Sequence, residues 1–395
     1  MSAAGVSGGG CRWIGRPRKV AQSWDAGSPG EARSPQEAVH PGEAVRPPGH
    51  RPRTALVLGA GGVVGAAWMT GALHAVQQRL PVPVGDVDLI VGTSAGSVLA
   101  AALRCGVTLD ELTALQRGEP VPALRDAGVR DLDERPLPPH PHLRAGSPRL
   151  MLTTLRAPRT IHPGVGVSAW LPRGRGRHEA LHATVAALDA FAAGRASALR
   201  DSVLRDSAFR DSAFRTGASS PGSWADGRTW IVAVDYDTGR RVMFGRDGAP
   251  QVPLADAVVA SCSIPGWYEP AVIDGHRYVD GGVRSSTSLR SLARAGLDEV
   301  YVLAPMASLV PDRPSRTAER LERRLRRRIT RSLLREAVEL RACGVRVTVL
   351  TPGPEDLAAM GANVMDPRRR RPVLDISRRT AAAALAAAEG CPQVA

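Results

Sequence analysis

The stretch that most constrains the fold is residues 88–97, which read DLIVGTSAGS. Its first part is a short apolar run with β-branched residues, a pattern that predicts a buried strand. The run ends in GTSAG at residues 92–96, a G-x-S-x-G pattern, and small residues compatible with a helix follow. A strand, a tight turn with serine at its apex and a helix form a nucleophile elbow, so the pattern predicts that Ser94 is a nucleophile. A plain turn with a helix-capping serine is the alternative interpretation.

Two glycines flank this serine, and steric arguments explain both of them. At such a sharp turn a Cβ atom on Gly92 or Gly96 would collide with neighbouring backbone. The turn would also lift the Ser94 hydroxyl above the edge of the sheet and place it at a helix N-terminus. Backbone N–H groups there favour developing negative charge, so the position suits an attacking serine.

A second glycine-rich turn lies upstream and admits two interpretations. The apolar segment 54–58 predicts a strand, and GAGGVVG at residues 59–65 leads from it into a helical stretch. Glycines in such a loop let backbone N–H groups close on a negative oxygen, either the pyrophosphate of a dinucleotide or an oxyanion. A dinucleotide site expects an acidic residue at the end of the second strand. Here Asp86 and Asp88 precede that strand, and nucleotide binding does not explain GTSAG.

Composition limits the size and the partners of the protein. A chain of 395 residues with 43% hydrophobic residues suits one large α/β domain with tails, or two domains. The net charge is +14, but Lys19 is the single lysine among 52 basic residues, a bias that indicates GC-rich coding DNA. Because zinc-finger, basic-zipper and aromatic-and-basic strand patterns do not occur, we predict no nucleic-acid partner.

Cysteine usage and hydropathy predict a cytoplasmic protein. The five cysteines are odd in number, scattered and never spaced C-x-x-C, a usage typical of reduced thiols. Apolar runs stay shorter than the ~18 residues that a membrane-spanning helix needs. The N-terminal stretch lacks the apolar core of a secretory signal peptide.

A third motif completes the pattern of a known family. The glycine-rich loop, the GTSAG elbow and the distant Asp280-Gly281-Gly282, in this order, resemble the patatin-like phospholipase family over roughly residues 54–305. The chain departs from the family's G-G-G-x-[KR]-G loop at two positions. Ala60 replaces the first glycine, and Val64 replaces the usual Lys or Arg. The missing cation bears on the catalytic rate and on the preference for a lipid head group.

The resemblance implies a fold, a reaction and a set of site residues. The fold is three-layer α/β/α with a mainly parallel central sheet, which the alternation of strand and helix patterns also predicts. The reaction is that of a serine acyl hydrolase, a phospholipase or lipid esterase that cleaves carboxylic esters through a Ser94–Asp280 dyad, with no cofactor and no metal. Gly61, Gly62 and Val63 would supply the oxyanion donors. The remaining motif glycines are Gly59, Gly65, Gly92, Gly96, Gly281 and Gly282.

The residues themselves leave two candidates for the base that activates the serine. His276 is the last histidine, and the 119 residues after it, where an α/β-hydrolase would place its histidine, contain none. A triad with His276 and either Asp256 or Asp274 is conceivable, but His276 is predicted to lie in a solvated hairpin turn. A direct Ser94–Asp280 pair is the other candidate. A free aspartate, with a pKa of ~3.9, is a weak base, but a dry site would raise that pKa.

The rest of the chain divides into three predicted regions. Residues 1–52 form a disordered basic tail. Residues 53–305 form the catalytic domain, in which a helix is predicted over 286–295. A cap or insertion is predicted at about 120–228. It contains an RDSxx repeat at 200–214 of the kind that replication slippage produces. Residues 306–395 form a helical extension with one further strand, packed on the same domain.

The Arg-rich segment 316–341 predicts a basic amphipathic helix. An ordinary outer helix with a solvated arginine face is the favoured interpretation. The alternative is peripheral contact with an anionic bilayer at the inner face of the membrane. Besides a hydrolase of lipid esters, two functions stay open: a catalytically weak relative that binds lipid, and, less favoured, a Rossmann-type nucleotide-binding protein.

Overall fold

The structure, a computed structural model, describes residues 51–129, 140–142, 144–205, 224, 228–310, 312 and 314–389. Residues 51–395 form one compact unit. All but the last two residues of the predicted tail lie outside the described residues, as do residues 206–214 of the RDSxx repeat.

An eight-stranded sheet organises this unit, in the order β5-β6-β3-β2-β1-β7-β8, with β4 paired to β3. The strands are β1 (Thr54–Leu58), β2 (Leu89–Thr93), β3 (Thr229–Asp235), β4 (Arg241–Phe244), β5 (Ala271–Ile273), β6 (His276–Asp280), β7 (Glu299–Leu303) and β8 (Arg346–Leu350). The pairings that join β3, β2, β1, β7 and β8 are parallel, whereas those of β4, β5 and β6 are antiparallel. The predicted mainly parallel sheet is confirmed.

Helices cover both faces of the sheet. In the described part of the chain they are α1 (Gly62–Gln77), α2 (Ala95–Arg104), α3 (Leu109–Arg117), α4 (Pro122–Asp126), α5 (Pro148–Arg156), α6 (Pro163–Trp170), α7 (Glu179–Arg205), α8 (Leu254–Cys262), α9 (Thr317–Arg341), α10 (Pro354–Met360) and α11 (Arg370–Glu389). Because side chains alternate along a strand, Leu56 and Leu58 enter one core with α1, α2, α8 and α11, while Ala55 and Val57 enter a second core with α9. The three-layer α/β/α expectation is therefore confirmed.

The helix predicted over residues 286–295 is wrong. Only a short 3₁₀ turn, Leu289–Leu292, forms there. The residue before it, Ser288, has a left-handed φ of +53°, which cannot continue into a right-handed helix. The serine-rich segment therefore forms a loop around this short turn.

The Arg-rich segment forms α9, an outer helix of the second layer. It buries Leu333, Ala337 and Leu340 against the sheet and carries most of its arginines on the opposite side. Large apolar residues also stand on that outer side, among them Leu321, which is 68% exposed, and Val338, which is 61% exposed. Among the helices of the described residues, none combines the length and the apolar character needed to cross a membrane.

Candidate active site

Ser94 occupies a strained turn between β2 and α2. Its φ of 55° and ψ of −123° fall in a region that residues with a side chain rarely adopt. The flanking glycines make the turn possible. A Cβ on Gly96 would lie 2.1 Å from the Leu58 carbonyl oxygen, and one on Gly92 would lie 2.6 Å from the Gly96 carbonyl oxygen. Side chains at these two positions would therefore collide with backbone atoms, as predicted from the sequence.

A buried hydroxyl that the sequence analysis did not single out fixes the Ser94 backbone. The Ser261 Oγ atom accepts a hydrogen bond from the Ser94 N–H at 2.9 Å and donates one to the Val232 carbonyl oxygen at 2.6 Å. Ser261 is fully buried in the last turn of α8. Its place among the small and apolar residues that end this helix, AVVASC, was the available signal, because a buried hydroxyl needs a partner.

Sheet register brings Asp280 to the same point. Thr93, the residue before Ser94, pairs with Val232, and the next residue of β3, Ala233, pairs with Asp280 at the end of β6. The Asp280 carboxylate accepts a hydrogen bond from the Gly282 N–H at 2.7 Å, and the Ser94 hydroxyl lies close enough to lower the pKa of the Asp280 carboxyl group. Ser94 and Asp280 are 6% and 5% exposed. Sheet register therefore brings together two buried residues that lie far apart in the sequence.

Burial changes the proton affinity of this carboxyl group. Loss of solvent raises the pKa of Asp280 from 3.8 to about 6, even though the hydrogen bonds from Ser94 and Gly282 favour the ionised form and lower it. A carboxylate with this pKa is still ionised at neutral pH. It also holds a proton more strongly than a free aspartate does, as a general base must.

The two glycines after Asp280 are needed for close approach. A Cβ on Gly281 would lie 2.6 Å from the Val232 carbonyl oxygen, so a side chain there would push the turn off β3. A Cβ on Gly282 would lie 3.0 Å from the Asp280 Oδ1 atom and 3.2 Å from the Ala60 Cβ atom. The Asp-Gly-Gly turn thus touches the glycine-rich loop, and all three sequence motifs meet.

Three adjacent N–H groups of the glycine-rich loop, those of Gly61, Gly62 and Val63, have no acceptor among the described residues. The neighbouring groups are used. The Ala60 N–H donates to the Ser286 carbonyl at 2.8 Å, and the Val64 N–H donates to the Val364 carbonyl at 3.0 Å. The free donors lie at the start of α1, where backbone N–H groups attract negative charge.

Two distant segments hold this loop in place. A Cβ on Gly61 would lie 2.6 Å from the Pro305 ring, and one on Gly62 would lie 2.7 Å from the Val364 carbonyl oxygen. The carbonyl of Pro305 is in turn hydrogen-bonded by the guanidinium of Arg326, which is buried in α9. Pro305, Arg326 and Val364 thus support the loop from the C-terminal part of the chain.

The histidine alternative does not assemble. His276 begins β6 with 64% of its side chain exposed, and its Nδ1 atom lies 3.7 Å from an Asp235 carboxylate oxygen. Asp256, a suggested third member, lies 3.1 Å from the Nε2 atom of His182 instead. Asp274 sits in the hairpin turn with a φ of +48°. Within the described ranges, moreover, no group of three or more His, Cys, Asp or Glu residues is arranged to hold a metal ion.

Replacing Gly62 by alanine is expected to lower kcat for ester hydrolysis by about 10²-fold, as loss of an oxyanion donor does. The reason is that Gly62 has a φ of +62°, and its new Cβ would meet the Val364 carbonyl oxygen at 2.7 Å. The loop must shift, and its N–H groups shift with it. Steady-state kinetics on a soluble ester measure the effect.

Gly118 provides the matched control for this substitution. Its φ of +71° imposes the same left-handed strain, but no heavy atom lies within 4 Å of its added Cβ. Gly118→Ala should therefore lose some stability and keep its kcat. Equal kcat values in the two variants would show that the glycine-rich loop does not take part in turnover.

The sequence pattern of the patatin-like phospholipase family matches residues 56–293, more than half of the chain. Solved structures that resemble the chain include the type III effector protein ExoU, at 15% identity and a TM-score of 0.36, with 85% of this chain and 53% of ExoU covered. They also include VipD from Legionella pneumophila, at 13% identity and a TM-score of 0.35, with coverages of 83% and 67%. ExoU in the ExoU–SpcU complex from Pseudomonas aeruginosa gives 19% identity and a TM-score of 0.33, with coverages of 86% and 60%.

This chain spans about half the length of ExoU. The comparison with curated proteins found no match. The extent of the family match, together with the meeting of the three motifs at Ser94, Asp280 and the glycine-rich loop, leads to one conclusion: the chain belongs to the patatin-like phospholipase family.

Proposed function

We propose that this protein is a serine acyl hydrolase that cleaves carboxylic ester bonds of lipids through an acyl-enzyme on Ser94, with Asp280 as the general base. The observation that carries the proposal is that Ser94 and Asp280 are buried side by side, with the Ser94 hydroxyl close enough to lower the pKa of the Asp280 carboxyl group. Hydrolase activity on lipids is what membership of the family implies. The residue roles are inferred from the geometry.

In the first step the Asp280 carboxylate accepts the Ser94 proton while the Oγ atom attacks the ester carbonyl carbon. The raised pKa of Asp280 strengthens it as a base, and the dry surroundings strengthen its hydrogen bond to the serine. The turn assists as well, because it fixes the Ser94 hydroxyl in one orientation before the reaction. The entropic cost of orienting the nucleophile is then not part of the reaction barrier.

The negative charge that develops on the carbonyl oxygen needs donors. The N–H groups of Gly61, Gly62 and Val63 have no protein acceptor in the described part of the chain and would serve that purpose. A donor of this kind is typically worth about 3 kcal/mol of transition-state stabilisation. The support from Pro305 and Val364 keeps the donors in place before substrate arrives.

Collapse of the tetrahedral intermediate expels the alcohol. Protonated Asp280 returns its proton to the leaving oxygen, and the acyl group stays on Ser94. Water then attacks the acyl-enzyme as Asp280 takes its proton, and the second tetrahedral intermediate collapses as Asp280 returns that proton to the Ser94 Oγ atom, which releases the carboxylic acid and restores the free serine. One carboxyl group therefore acts as base and acid in turn.

A lipid substrate would suit the surface next to the site, because α6 packs against the turn that follows Asp280. Large apolar side chains are exposed on α5 and α6, namely Leu152, Leu155, Val167 and Trp170. Exposed apolar residues concentrated in one region mark contact with an apolar partner. Both helices fall in the region that the sequence analysis assigned to a cap or insertion.

We further propose that α9 touches an anionic membrane, which would place the protein at the inner, cytoplasmic face. Its outer side combines the exposed Leu321, Leu325 and Val338 with the exposed Arg324 and Arg331. Apolar residues beside arginines suit the boundary between lipid head groups and acyl chains. The free thiols of Cys105 and Cys343 accord with a reducing compartment.

Co-sedimentation with phosphatidylcholine vesicles that contain phosphatidylglycerol tests the role of α9. The double variant Arg324→Gln/Arg331→Gln should bind these vesicles about 30-fold more weakly than the wild type, since each arginine contributes near an anionic surface. The control removes two exposed arginines elsewhere, Arg125→Gln/Arg294→Gln. An equal loss in both double variants would refute a specific contact through α9.

The competing function is a lipid-binding relative with little catalytic power, which Val64 in place of the family's usual cation favours. Hydrolysis of a p-nitrophenyl ester and of a phospholipid by the purified full chain separates the two functions. Turnover that disappears in Ser94→Ala supports the hydrolase. Vesicle binding without turnover supports the lipid-binding relative.

A further inference from the structure

A cavity of about 440 Å³ opens beside β4 and the loop that follows Asp280. Three arginines line it, Arg241 from β4, Arg246 from the turn after β4, and Arg284 from the loop, together with Ser291. Asp247 is the one carboxylate among the lining residues that the structure describes. The lining thus carries an excess of positive charge.

The central arginine lacks a partner for one of its donors. The Arg241 Nη1 atom donates to the Ser291 Oγ atom at 2.5 Å, which fixes the plane of the guanidinium group. The Arg241 Nε–H is buried and has no acceptor among the described residues. A buried donor without an acceptor is costly, so its presence points to an acceptor that the protein itself does not supply.

The other two arginines are also held in place. The Arg284 Nη1 atom donates to the Gly239 carbonyl oxygen at 3.3 Å. The Arg246 guanidinium lies 5.2 Å from the centre of the Trp230 ring, in a cation–π contact. Each of these contacts restrains the position of the arginine side chain at the cavity.

Nearby carboxylates are already engaged. Glu336 accepts hydrogen bonds from the Ser285 hydroxyl and the Arg290 N–H, at 3.0 and 3.1 Å. Glu339 lies 2.9 Å from the Arg290 side chain. Burial and the charges of Arg284 and Arg290 lower the pKa of Arg241 to about 10, although Glu336 opposes this shift. The positive charge around Arg241 is therefore incompletely compensated.

We propose that this cavity binds a phosphate group, either as free inorganic phosphate or as the phosphate monoester of a lipid head group. The guanidinium fork matches the oxygen atoms of a phosphate and makes charge-assisted hydrogen bonds to them. A phosphate would supply the Arg241 Nε–H with its missing acceptor, and Ser291 would offer a hydroxyl at the same place.

Because of the position of the cavity, a bound phosphate would contact the loop that leaves Asp280. Arg284 and Ser291 stand near the two ends of the loop that leaves Asp280. Within this loop the Ser286 carbonyl accepts the Ala60 N–H at 2.8 Å, at the start of the glycine-rich loop. A phosphate held between β4 and this loop would brace the segment that joins the Asp280 turn to the oxyanion donors.

Isothermal titration of the full-length protein with inorganic phosphate tests the proposal, with chloride at matched ionic strength as the reference. The wild type should bind phosphate saturably, and Arg241→Gln should weaken that binding at least about tenfold, as loss of a charged hydrogen-bonding partner does. Arg125→Gln, an exposed arginine on α4, should bind as the wild type does.

Arg246→Gln is the second variant, because Arg246 is exposed and its loss should not disturb folding. It too should weaken binding about tenfold, through loss of a charged contact to phosphate. The same titrations with a soluble short-chain phosphatidic acid, in a Ser94→Ala background that cannot hydrolyse it, separate the two sources of the group. Binding of both ligands, or of the lipid alone, supports the site and tells which source it accepts.

If neither inorganic phosphate nor phosphatidic acid binds saturably, the proposal is overturned. Equal affinities in Arg246→Gln and Arg125→Gln would also overturn it. Neither outcome depends on ester hydrolysis. The proposed phosphate site can therefore be refuted without refuting the proposed hydrolase activity, and the hydrolase activity can be refuted without refuting the phosphate site.

Discussion

Ser94→Ala is expected to lower kcat for ester hydrolysis by on the order of 10⁴- to 10⁶-fold, the scale on which serine hydrolases lose activity without their nucleophile. The acyl-enzyme cannot form on residue 94 without its hydroxyl, and the N–H donors of the glycine-rich loop act only on an oxyanion that no longer forms. Steady-state assays with a p-nitrophenyl ester measure the loss. Retained turnover would mean that the acyl-enzyme does not form on Ser94.

A second substitution at this position separates the nucleophile from the turn. Ser94 and an alanine in its place share the φ of 55°, a strained conformation that glycine adopts freely. Ser94→Gly should therefore be as inactive as Ser94→Ala but more stable than it by about 1 kcal/mol. Thermal unfolding of the two variants measures the difference. A less stable glycine variant would show that the turn is not strained.

Asp280→Asn is expected to abolish turnover as well, because an amide cannot accept the serine proton. In the wild type, Asp280 must be ionised to act, and its pKa is raised to about 6. The value of kcat/KM should therefore fall about tenfold for each pH unit below 6 and level off above it. A pH profile that stays flat down to pH 4 would exclude Asp280 as the base.

The same carboxyl group makes a prediction about stability that needs no substrate. Its pKa is higher in the folded state than the reference value of 3.8, so the folded protein binds this proton more tightly than the unfolded chain does. The stabilisation that results is complete below pH 3.8 and disappears as the pH rises through about 6. At neutral pH the buried carboxylate is ionised, and this charge lowers the free energy of unfolding.

Asp280→Asn removes that charge and keeps an oxygen that can accept the Gly282 N–H. The variant should match the wild type in stability near pH 4 and exceed it by about 3 kcal/mol at pH 8. Denaturant unfolding at both pH values measures the difference in free energy of unfolding between the variant and the wild type. Groups that titrate alike in the two proteins do not contribute to this difference. A constant difference between the two pH values would mean that the pKa of Asp280 is not raised.

These predictions rest on features that local sequence could reveal in part. Elbow geometry followed from GTSAG, because the sharp turn leaves no room for a Cβ on Gly92 or Gly96. The atom in the way at Gly92 is the Gly96 carbonyl oxygen of the same turn, which needs no fold, whereas at Gly96 it is the Leu58 carbonyl oxygen, which β1 brings there. The family pattern then supplied Asp280, which composition and spacing could not have paired with Ser94.

The supporting contacts could not be predicted, since they depend on register and on long-range packing. Ser261 meets the Ser94 N–H only because α8 ends beside β2. Val364 reaches the glycine-rich loop from beyond the last strand. Backbone conformation set a further limit: the left-handed Ser288 interrupts a segment that composition alone assigned to a helix.

Covalent labelling with a fluorophosphonate probe tests the central claim most directly. The probe reacts with a serine that a neighbouring base activates, and mass spectrometry of the digested protein identifies the residue that carries it. We expect the phosphonate on Ser94 in the wild type, and no labelling of Ser94→Ala or Asp280→Asn. Labelling at another serine, or undiminished labelling in Asp280→Asn, would contradict the proposed Ser94–Asp280 pair.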